Sequence, residues 1–198
     1  MLSQIDTILF PDECVVLEVA ENRYVYPIHK NGSTSLYNSG FRQLSFDEIS
    51  KLEVVEVFVR DPIQRYISGV SKFIDETGLD YSAVLHFVEN YLFLNNHYAP
   101  QFYWLLNLQR FTSAKLYLRP MEDISTVTKL HDNYTNNKLV TAENSKVQFY
   151  LQLDKVLVGE LLGRTVTFKQ IVQTIKHRYP EVYKEVVQRS IDLCNVLV

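Results

Sequence analysis

Two short segments combine basic, glycine and hydroxyl residues at the point where a predicted strand passes into a predicted helix. The first segment, residues 26–36, reads YPIHKNGSTSL and places Lys30 and Gly32 before three hydroxyl residues. Free backbone N–H groups at the start of this helix would favour an anion, and Lys30 would add a positive charge on the same turn. An ordinary helix capped by Ser33 or Thr34, with Lys30 in solvent, would explain the same residues.

The second segment, residues 57–68, reads VFVRDPIQRYIS and offers another anion site. Arg60 ends a predicted buried strand, and Arg65 and Ser68 lie three residues apart on one face of the helix that follows. A forked guanidinium and a hydroxyl can converge on one phosphate. An ion pair between Arg60 and Asp61, with Arg65 in solvent, is the alternative. Together the two segments indicate a ligand with two separate anionic groups.

The order of residues in the first segment differs from that of a Walker A loop. The pattern GxxxxGK[ST] needs two glycines and places its lysine directly after the second one. Here Lys30 precedes Gly32, and no glycine lies upstream of it. This order argues against a nucleoside triphosphatase or a kinase.

Alternating strands and helices are predicted to position these segments. Apolar, β-branched runs predict strands, and apolar residues at helical spacing predict helices, although the first run, VVLEV, could form either. The predicted strands lie within residues 15–28, at 52–59 and at 114–118. The predicted helices cover residues 62–74, 81–94 and 100–111, and two more begin at Thr167 and at Tyr179-Pro180. This alternation predicts an α/β fold in which helices flank a central parallel sheet.

The composition predicts a single compact domain, residues 1–198, without a linker or an internal repeat. A net charge of −3 argues against nucleic-acid binding, so a local pocket must hold any anion. No apolar run approaches the ~18 residues that cross a bilayer. Acidic residues precede the first basic residue, Arg23, which is unlike a signal peptide. With Cys14 and Cys194 predicted as reduced thiols, we expect a cytoplasmic protein that contacts no membrane.

Both segments resemble motifs of the sulfotransferases that use 3′-phosphoadenosine 5′-phosphosulfate (PAPS). HKNGSTSL is similar to their 5′-phosphosulfate loop, Lys-x-Gly-[Ser/Thr]-[Ser/Thr]. VFVRDPIQRYISG is similar to their 3′-phosphate segment, in which a serine follows the arginine by eight residues. The RDPxxRxxSG form is closer to the carbohydrate-type enzymes than to the cytosolic enzymes for phenols and steroids. The strong part of the resemblance covers about 40 residues, and weaker likeness extends over most of the chain.

The resemblance implies a three-layer, P-loop-NTPase-like sulfotransferase fold that binds PAPS as co-substrate and needs no metal. Its implied 5′-phosphosulfate site comprises Lys30, Asn31, Gly32, Ser33, Thr34 and Ser35. Its implied 3′-phosphate site comprises Arg60, Arg65 and Ser68. Lys30 would neutralise the charge that grows on the leaving oxygen during transfer. An arginine and two acids after the third strand, Arg119, Glu122 and Asp123, could line the site or cap a helix.

The acceptor hydroxyl needs a base, for which the sequence offers two main candidates. His97 lies in a polar break before a predicted helix, within a His-x-x-Pro-Gln pattern that resembles some carbohydrate sulfotransferases, and an imidazole suits proton abstraction near neutral pH. It could equally be a loop histidine that caps a helix. Glu48 is the best of the acids between the two motifs. His29 is a third candidate, while His86, His131 and His177 are predicted to be ordinary surface or core residues.

The predicted function is therefore transfer of a sulfuryl group from PAPS to an acceptor hydroxyl of a carbohydrate or other small molecule. A module that binds PAPS or its desulfated product but lacks a base is the main alternative. A small-molecule kinase is a third, less favoured one.

Overall fold

A computed structural model describes residues 14–84, 86, 96–130 and 145–198. They form a mixed α/β structure around one six-stranded sheet with the strand order β3-β1-β2-β4-β5-β6. The strands are β1 (Leu17–Ala20), β2 (Arg23–Val25), β3 (Arg42–Gln43), β4 (Val54–Val59), β5 (Lys115–Pro120) and β6 (Thr165–Val166). The α/β class predicted from the sequence is confirmed.

The sheet is mixed, whereas the sequence predicted a parallel one. Its three central strands, β2, β4 and β5, are parallel, and the outer strands β1, β3 and β6 pair antiparallel with their neighbours. A tight turn in which Asn22 takes φ 57° joins β1 to β2, and so short a connection can only join antiparallel strands. The parallel core places the carboxyl ends of three strands at one edge.

The helices predicted from residue 62, from residue 100, at Thr167 and at Pro180 start within a residue or two of the predicted positions, whereas no start was predicted for those at Phe46 and Ser145. The helices are α1 (Ser33–Asn38), α2 (Phe46–Ile49), α3 (Pro62–Thr77), α4 (Gln101–Gln109), α5 (Ser145–Gly159), α6 (Phe168–Arg178), α7 (Pro180–Val182) and α8 (Gln188–Cys194). A 3-10 helix, Met121–Thr126, follows β5, and a π-helical turn, Tyr183–Val187, joins α7 to α8. The starts predicted at Pro62, Thr167 and Pro180 are confirmed, because each carries a local capping or proline signal.

Two predicted features are only partly described. Of the helix predicted over 81–94, residues 81–84 and 86 are helical and the rest lies outside the described residues. His131 also lies outside them, while His86 and His177 are exposed, as predicted for surface residues.

The two faces of the sheet are covered by apolar clusters of different size. On one face, alternate residues of the strands, such as Val57 and Leu118, pack against α4, α5 and α6 in the main core. On the other face, α1 and the 3-10 helix form a smaller cluster around Phe58 and Ile124. The side-chain alternation of β4, with Val57 on one face and Phe58 on the other, places the two clusters on opposite sides.

Both cysteines are free thiols, as predicted, and burial raises the pKa of Cys14 to about 12. Among the described residues, no helix combines the length and the apolar character needed to span a membrane.

Candidate functional site

The two basic segments meet at the carboxyl edge of the parallel strands. β2 and β4 are neighbours in the sheet, so the loops that follow them emerge side by side. Arg60, directly after β4, donates from Nη1 to the carbonyl oxygen of Lys30 in the loop after β2, at 3.4 Å. The structure therefore brings Lys30 and Arg60 to one place.

The loop that carries Lys30 has an unusual backbone. Lys30 takes φ 68° and Gly32 takes φ 77°, both in the left-handed region, and Asn31 N–H donates to the carbonyl of Ile28 at 3.1 Å. A left-handed backbone costs a non-glycine residue roughly 1–2 kcal/mol. Backbone strain of this size is concentrated at functional sites in proteins, which makes the loop of Lys30 a candidate functional site.

The left-handed backbone angle of Gly32 favours glycine at this position. A Cβ atom there would also require the end of the Ile124 side chain, in the 3-10 helix, to move. Gly32 is also the N-cap of α1, where no side chain caps the helix. The alternative of a helix capped by Ser33 or Thr34 is therefore not the arrangement in the described part of the chain.

The other predicted ligands of the first segment differ in exposure. Thr34 is exposed, whereas Ser33 and Ser35 are buried. Asn31 is 1% exposed and its Nδ2 donates to the carbonyl of Phe58 at 2.8 Å. The side chain of Asn31 therefore supports the loop from within the protein, so we assign it a structural role rather than the predicted contact with a ligand.

Lys30 and Arg60 concentrate positive charge at this edge. Neither forms an ion pair with a carboxylate of the described residues. Asp61, the neighbour of Arg60, instead accepts from Gln64 N–H at 2.8 Å and caps α3. Burial lowers the pKa of Lys30, and the cations of Lys72, Arg60 and Arg65 lower it further, while Glu76 opposes them. Burial also lowers the pKa of Arg60, against the pull of Asp61 and Glu122. Partly desolvated cations of this kind favour a bound anion.

Arg65 has a different environment from the one predicted. It is 1% exposed, and its guanidinium donates to the backbone carbonyls of His29 at 3.0 Å, Asn96 at 3.4 Å and Ala99. These contacts hold the residues before Lys30 and those before α4 against α3. A phosphate cannot reach a guanidinium buried in this way, so we replace the predicted phosphate contact with a supporting role.

The polar face of α3 continues beyond Ser68 toward Lys30. Ser68 is 9% exposed, and Lys72 and Glu76 follow it at intervals of four residues on the same face. Lys72 Nζ lies 3.2 Å from Glu76 Oε1, and Glu76 Oε2 lies 3.5 Å from His97 Nε2. Lys72 and Glu76 were not predicted as site residues, although their regular spacing from Ser68 was a readable signal.

His97, the first candidate base, lies beside this charged group. Its ring centroid is 5.4 Å from that of His29, which lies 4.8 Å from the ring of Trp104, the chain's single tryptophan. Burial lowers the pKa of His97, with Lys30 and Lys72 acting in the same direction and Glu76 opposing them. At neutral pH the imidazole is therefore unprotonated and able to accept a proton.

His29 is expected to make the folding stability depend on pH. Burial lowers its pKa to about 4, with further lowering by His97 and by the cations Arg65 and Lys30. The unfolded chain, with a histidine pKa near 6.5, therefore takes up a proton first as the pH falls. The contribution of His29 to the free energy of unfolding should be fully present above pH 6.5. At pH 5 the free energy of unfolding should be smaller by about 2 kcal/mol.

Urea denaturation at pH 7.5 and pH 5 measures this loss. His29→Gln should have a smaller difference in free energy of unfolding between the two pH values than the wild type. His177→Gln, on the exposed face of α6, should keep the wild-type difference. An unchanged pH dependence in His29→Gln would contradict the assignment.

Glu48, the second candidate base, is not brought to this edge. Its carboxylate accepts from Ser45 N–H at 2.8 Å in a capping box of α2 and from Arg42 at 2.7 Å, and these bonds lower its pKa to about 2. Phe46 of the same helix stacks on Phe111. Phe111 follows the C-terminal end of α4, whereas the candidate site lies at its N-terminal end, near Gln101. Glu48 therefore stabilises α2, and we do not retain it as a base. The pattern Ser-x-x-Glu was a readable signal for this role.

Arg119 is also engaged by protein groups. It pairs with Glu56 at 3.2 Å and with Asp123 at 3.1 Å, and Glu56 pairs with Arg23 at 2.8 Å. Its charge is therefore neutralised within the protein. Of the residues predicted after β5, Glu122 is the one whose charge acts on Arg60.

The candidate site thus draws its residues from several elements. Lys30 follows β2, Arg60 follows β4, Ser68 and Glu76 lie on α3, and His97 precedes α4. Comparison of the chain with models of known protein families, with curated proteins and with solved structures gave no match.

Proposed function

We propose that this protein transfers a sulfuryl group from PAPS to the hydroxyl of a carbohydrate or other small molecule. The observation that carries the proposal is that Lys30 and Arg60 are in contact at the ends of two neighbouring parallel strands. The guanidinium of Arg60 lies 3.4 Å from the backbone carbonyl oxygen of Lys30. The sequence resemblance assigns these residues to the two charged ends of one nucleotide. A location of Arg60 on another side of the molecule would have contradicted it.

Lys30 would act on the leaving group. The acceptor oxygen attacks sulfur, the bond between sulfur and the bridging oxygen breaks, and its electron pair remains on the 5′-phosphate of the nucleotide. A lysine that follows the strand end can neutralise that growing negative charge. The exposed hydroxyl of Thr34, in the first turn of α1, would assist it.

The proton of the acceptor hydroxyl would pass to the His97–Glu76 pair. The 3.5 Å separation between His97 Nε2 and Glu76 Oε2 allows the carboxylate to stabilise the imidazolium that forms. The two side chains are partly exposed, at 25% and 44%, while His97 Nδ1 is buried, so the acceptor hydroxyl would have to approach His97 at Nε2. Arg60 and Ser68 would hold the 3′-phosphate and leave this side of the site for the acceptor.

Nucleotide binding and turnover test the proposal together. Calorimetry should show that 3′,5′-adenosine bisphosphate (PAP) binds more tightly than 5′-AMP, because a second anionic group reaches Arg60. PAPS should be converted to PAP in the presence of a panel of sugar and phenol acceptors. Trp104 fluorescence offers an independent binding signal, since its ring lies next to His29.

The same measurements separate the alternatives. A binding module without a base would bind PAP but consume no PAPS with any acceptor. A small-molecule kinase would bind Mg-ATP and gain nothing from a 3′-phosphate. Equal affinities for PAP and 5′-AMP would contradict the proposed function.

Removal of the Glu76 charge should change the pH profile of transfer. Transfer requires an unprotonated His97, so the rate should fall as the pH drops through the pKa of that residue, which lies below 6.5. In Glu76→Gln the carboxylate no longer raises this pKa, and the acid limb of kcat should move to lower pH. The rate at pH 7.5 should fall about fivefold to tenfold, because the imidazolium loses a stabilising charge.

Asp75→Asn is the matched control for Glu76→Gln. Asp75 is exposed on α3, and its substitution also removes one negative charge from this helix. The pH profile of this variant should match the wild type. An acid limb that stays in place or moves upward in Glu76→Gln would exclude Glu76 as the partner of His97.

A further inference from the structure

A buried glutamine connects the two loops that carry Lys30 and Arg60. Gln101, at the start of α4, is fully buried. Its Oε1 accepts from the backbone N–H of Arg60 at 2.9 Å, and its Nε2 donates to the carbonyl of the same residue at 2.9 Å. The side-chain amide thus satisfies both backbone groups of Arg60, as the backbone of a neighbouring strand would.

The same amide also holds the loop of Lys30. Gln101 Oε1 accepts from Asn31 Nδ2 at 2.5 Å, and Asn31 Nδ2 donates in addition to the carbonyl of Phe58 at 2.8 Å. One side-chain oxygen is therefore shared by the residue after Lys30 and by the backbone of Arg60. The loop after β2 and the end of β4 are tied together through these two amides.

Hydrogen bonds to a buried aspartate in turn fix the position of Gln101. Asp154 on α5 is 1% exposed and accepts from the backbone N–H groups of Gln101 at 2.7 Å and Phe102 at 2.9 Å. These bonds satisfy the first N–H groups of α4, which no side chain of its own N-terminus caps. The cation of Arg65 acts on Asp154 and opposes the effect of burial on its pKa. The position of Gln101 is thus determined by two helices and not by the loops that it holds.

We infer that Gln101 is a positioning residue that sets the separation of the Lys30 and Arg60 cations. It thereby sets how much more tightly a ligand with two anionic groups binds than a ligand with one. This inference rests on the proposed function. A ligand held at both ends gains affinity only when the two sites match its length, since the second contact is intramolecular. A displacement of either loop should therefore weaken the second contact more than the first.

The measurement is the ratio of the affinities for PAP and for 5′-AMP, determined by calorimetry. Gln101→Met keeps the length of the side chain and removes its four polar contacts with Arg60, Asn31 and Asp154. We expect the ratio to fall about tenfold, while the affinity for 5′-AMP changes less than about threefold. Gln109→Met, the same substitution at the other end of α4, should keep the wild-type ratio.

Asn31→Ala provides a second test in case Gln101→Met does not fold. This variant leaves the bonds between Gln101 and Arg60 in place but releases the loop of Lys30, and it should also lower the ratio. A wild-type ratio in the folded variants, with or without an equal loss of affinity for both nucleotides, would overturn the inference. A wild-type protein that binds PAP no better than 5′-AMP would instead contradict the proposed function.

Discussion

Lys30→Met should lower kcat for sulfuryl transfer by about 10²- to 10³-fold, the usual effect of removing one group that stabilises a developing negative charge. Methionine retains most of the aliphatic stem of lysine and removes its charge. The loss should appear in kcat more than in the KM for PAPS, because the charge on the bridging oxygen is largest in the transition state. The rate of PAP formation with the best acceptor of the panel measures it.

Two further variants separate catalysis from folding. Lys30→Gly also removes the charge, but glycine accepts the φ of 68° without strain. This variant should be at least as stable to urea as Lys30→Met and equally inactive. Lys169→Met, on the exposed surface of α6, should retain wild-type kcat. Wild-type turnover in Lys30→Met or Lys30→Gly would show that the proposed mechanism is wrong.

Arg60→Met should weaken the binding of PAP about 10- to 100-fold and leave the binding of 5′-AMP nearly unchanged. The guanidinium is expected to form charge-assisted hydrogen bonds to the 3′-phosphate, which 5′-AMP lacks. In turnover the KM for PAPS should rise by a similar factor, with a smaller change in kcat. Calorimetry with the two nucleotides isolates the contribution of the 3′-phosphate.

Arg164→Met is the control for the loss of one arginine charge, because Arg164 is exposed next to the edge strand β6. Its affinities for both nucleotides should match the wild type. If Arg60→Met lost affinity for PAP and 5′-AMP to the same extent, Arg60 would not be the ligand of the 3′-phosphate. The ratio measured for Gln101→Met should lie between those of the wild type and Arg60→Met.

The elements around the two motifs could be predicted because their signals are local. β4 is a run of β-branched and aromatic residues, and α3 begins with an aspartate cap and a proline in the first turn. The hairpin of β1 and β2 and the antiparallel pairing of β6 were missed. Strand direction depends on which strands become neighbours, and that information is not contained in a short run of residues.

The roles of the charged residues were harder to predict than their positions. The spacing of Arg65 and Ser68 placed both on one face of α3, but that face also packs closely on the backbone of residues 97 and 98 at Gly69. Arg65 is therefore enclosed by carbonyl groups instead of facing a ligand. The spacing of residues along a helix places them on one face, but the environment of that face depends on the elements that pack against it.

The starts of the two candidate anion-binding loops could be located from the order of residues alone, since strand ends, glycine turns and helix starts are set by residues within a few positions of one another. Which charges remain available to a ligand depends instead on the folded arrangement. Gln101 and Asp154, far apart in the chain, hold the Lys30 and Arg60 loops together, while Glu56 neutralises Arg119. The reason is physical: burial and charge pairing depend on residues that are close in space, and the chain brings them together only when it folds.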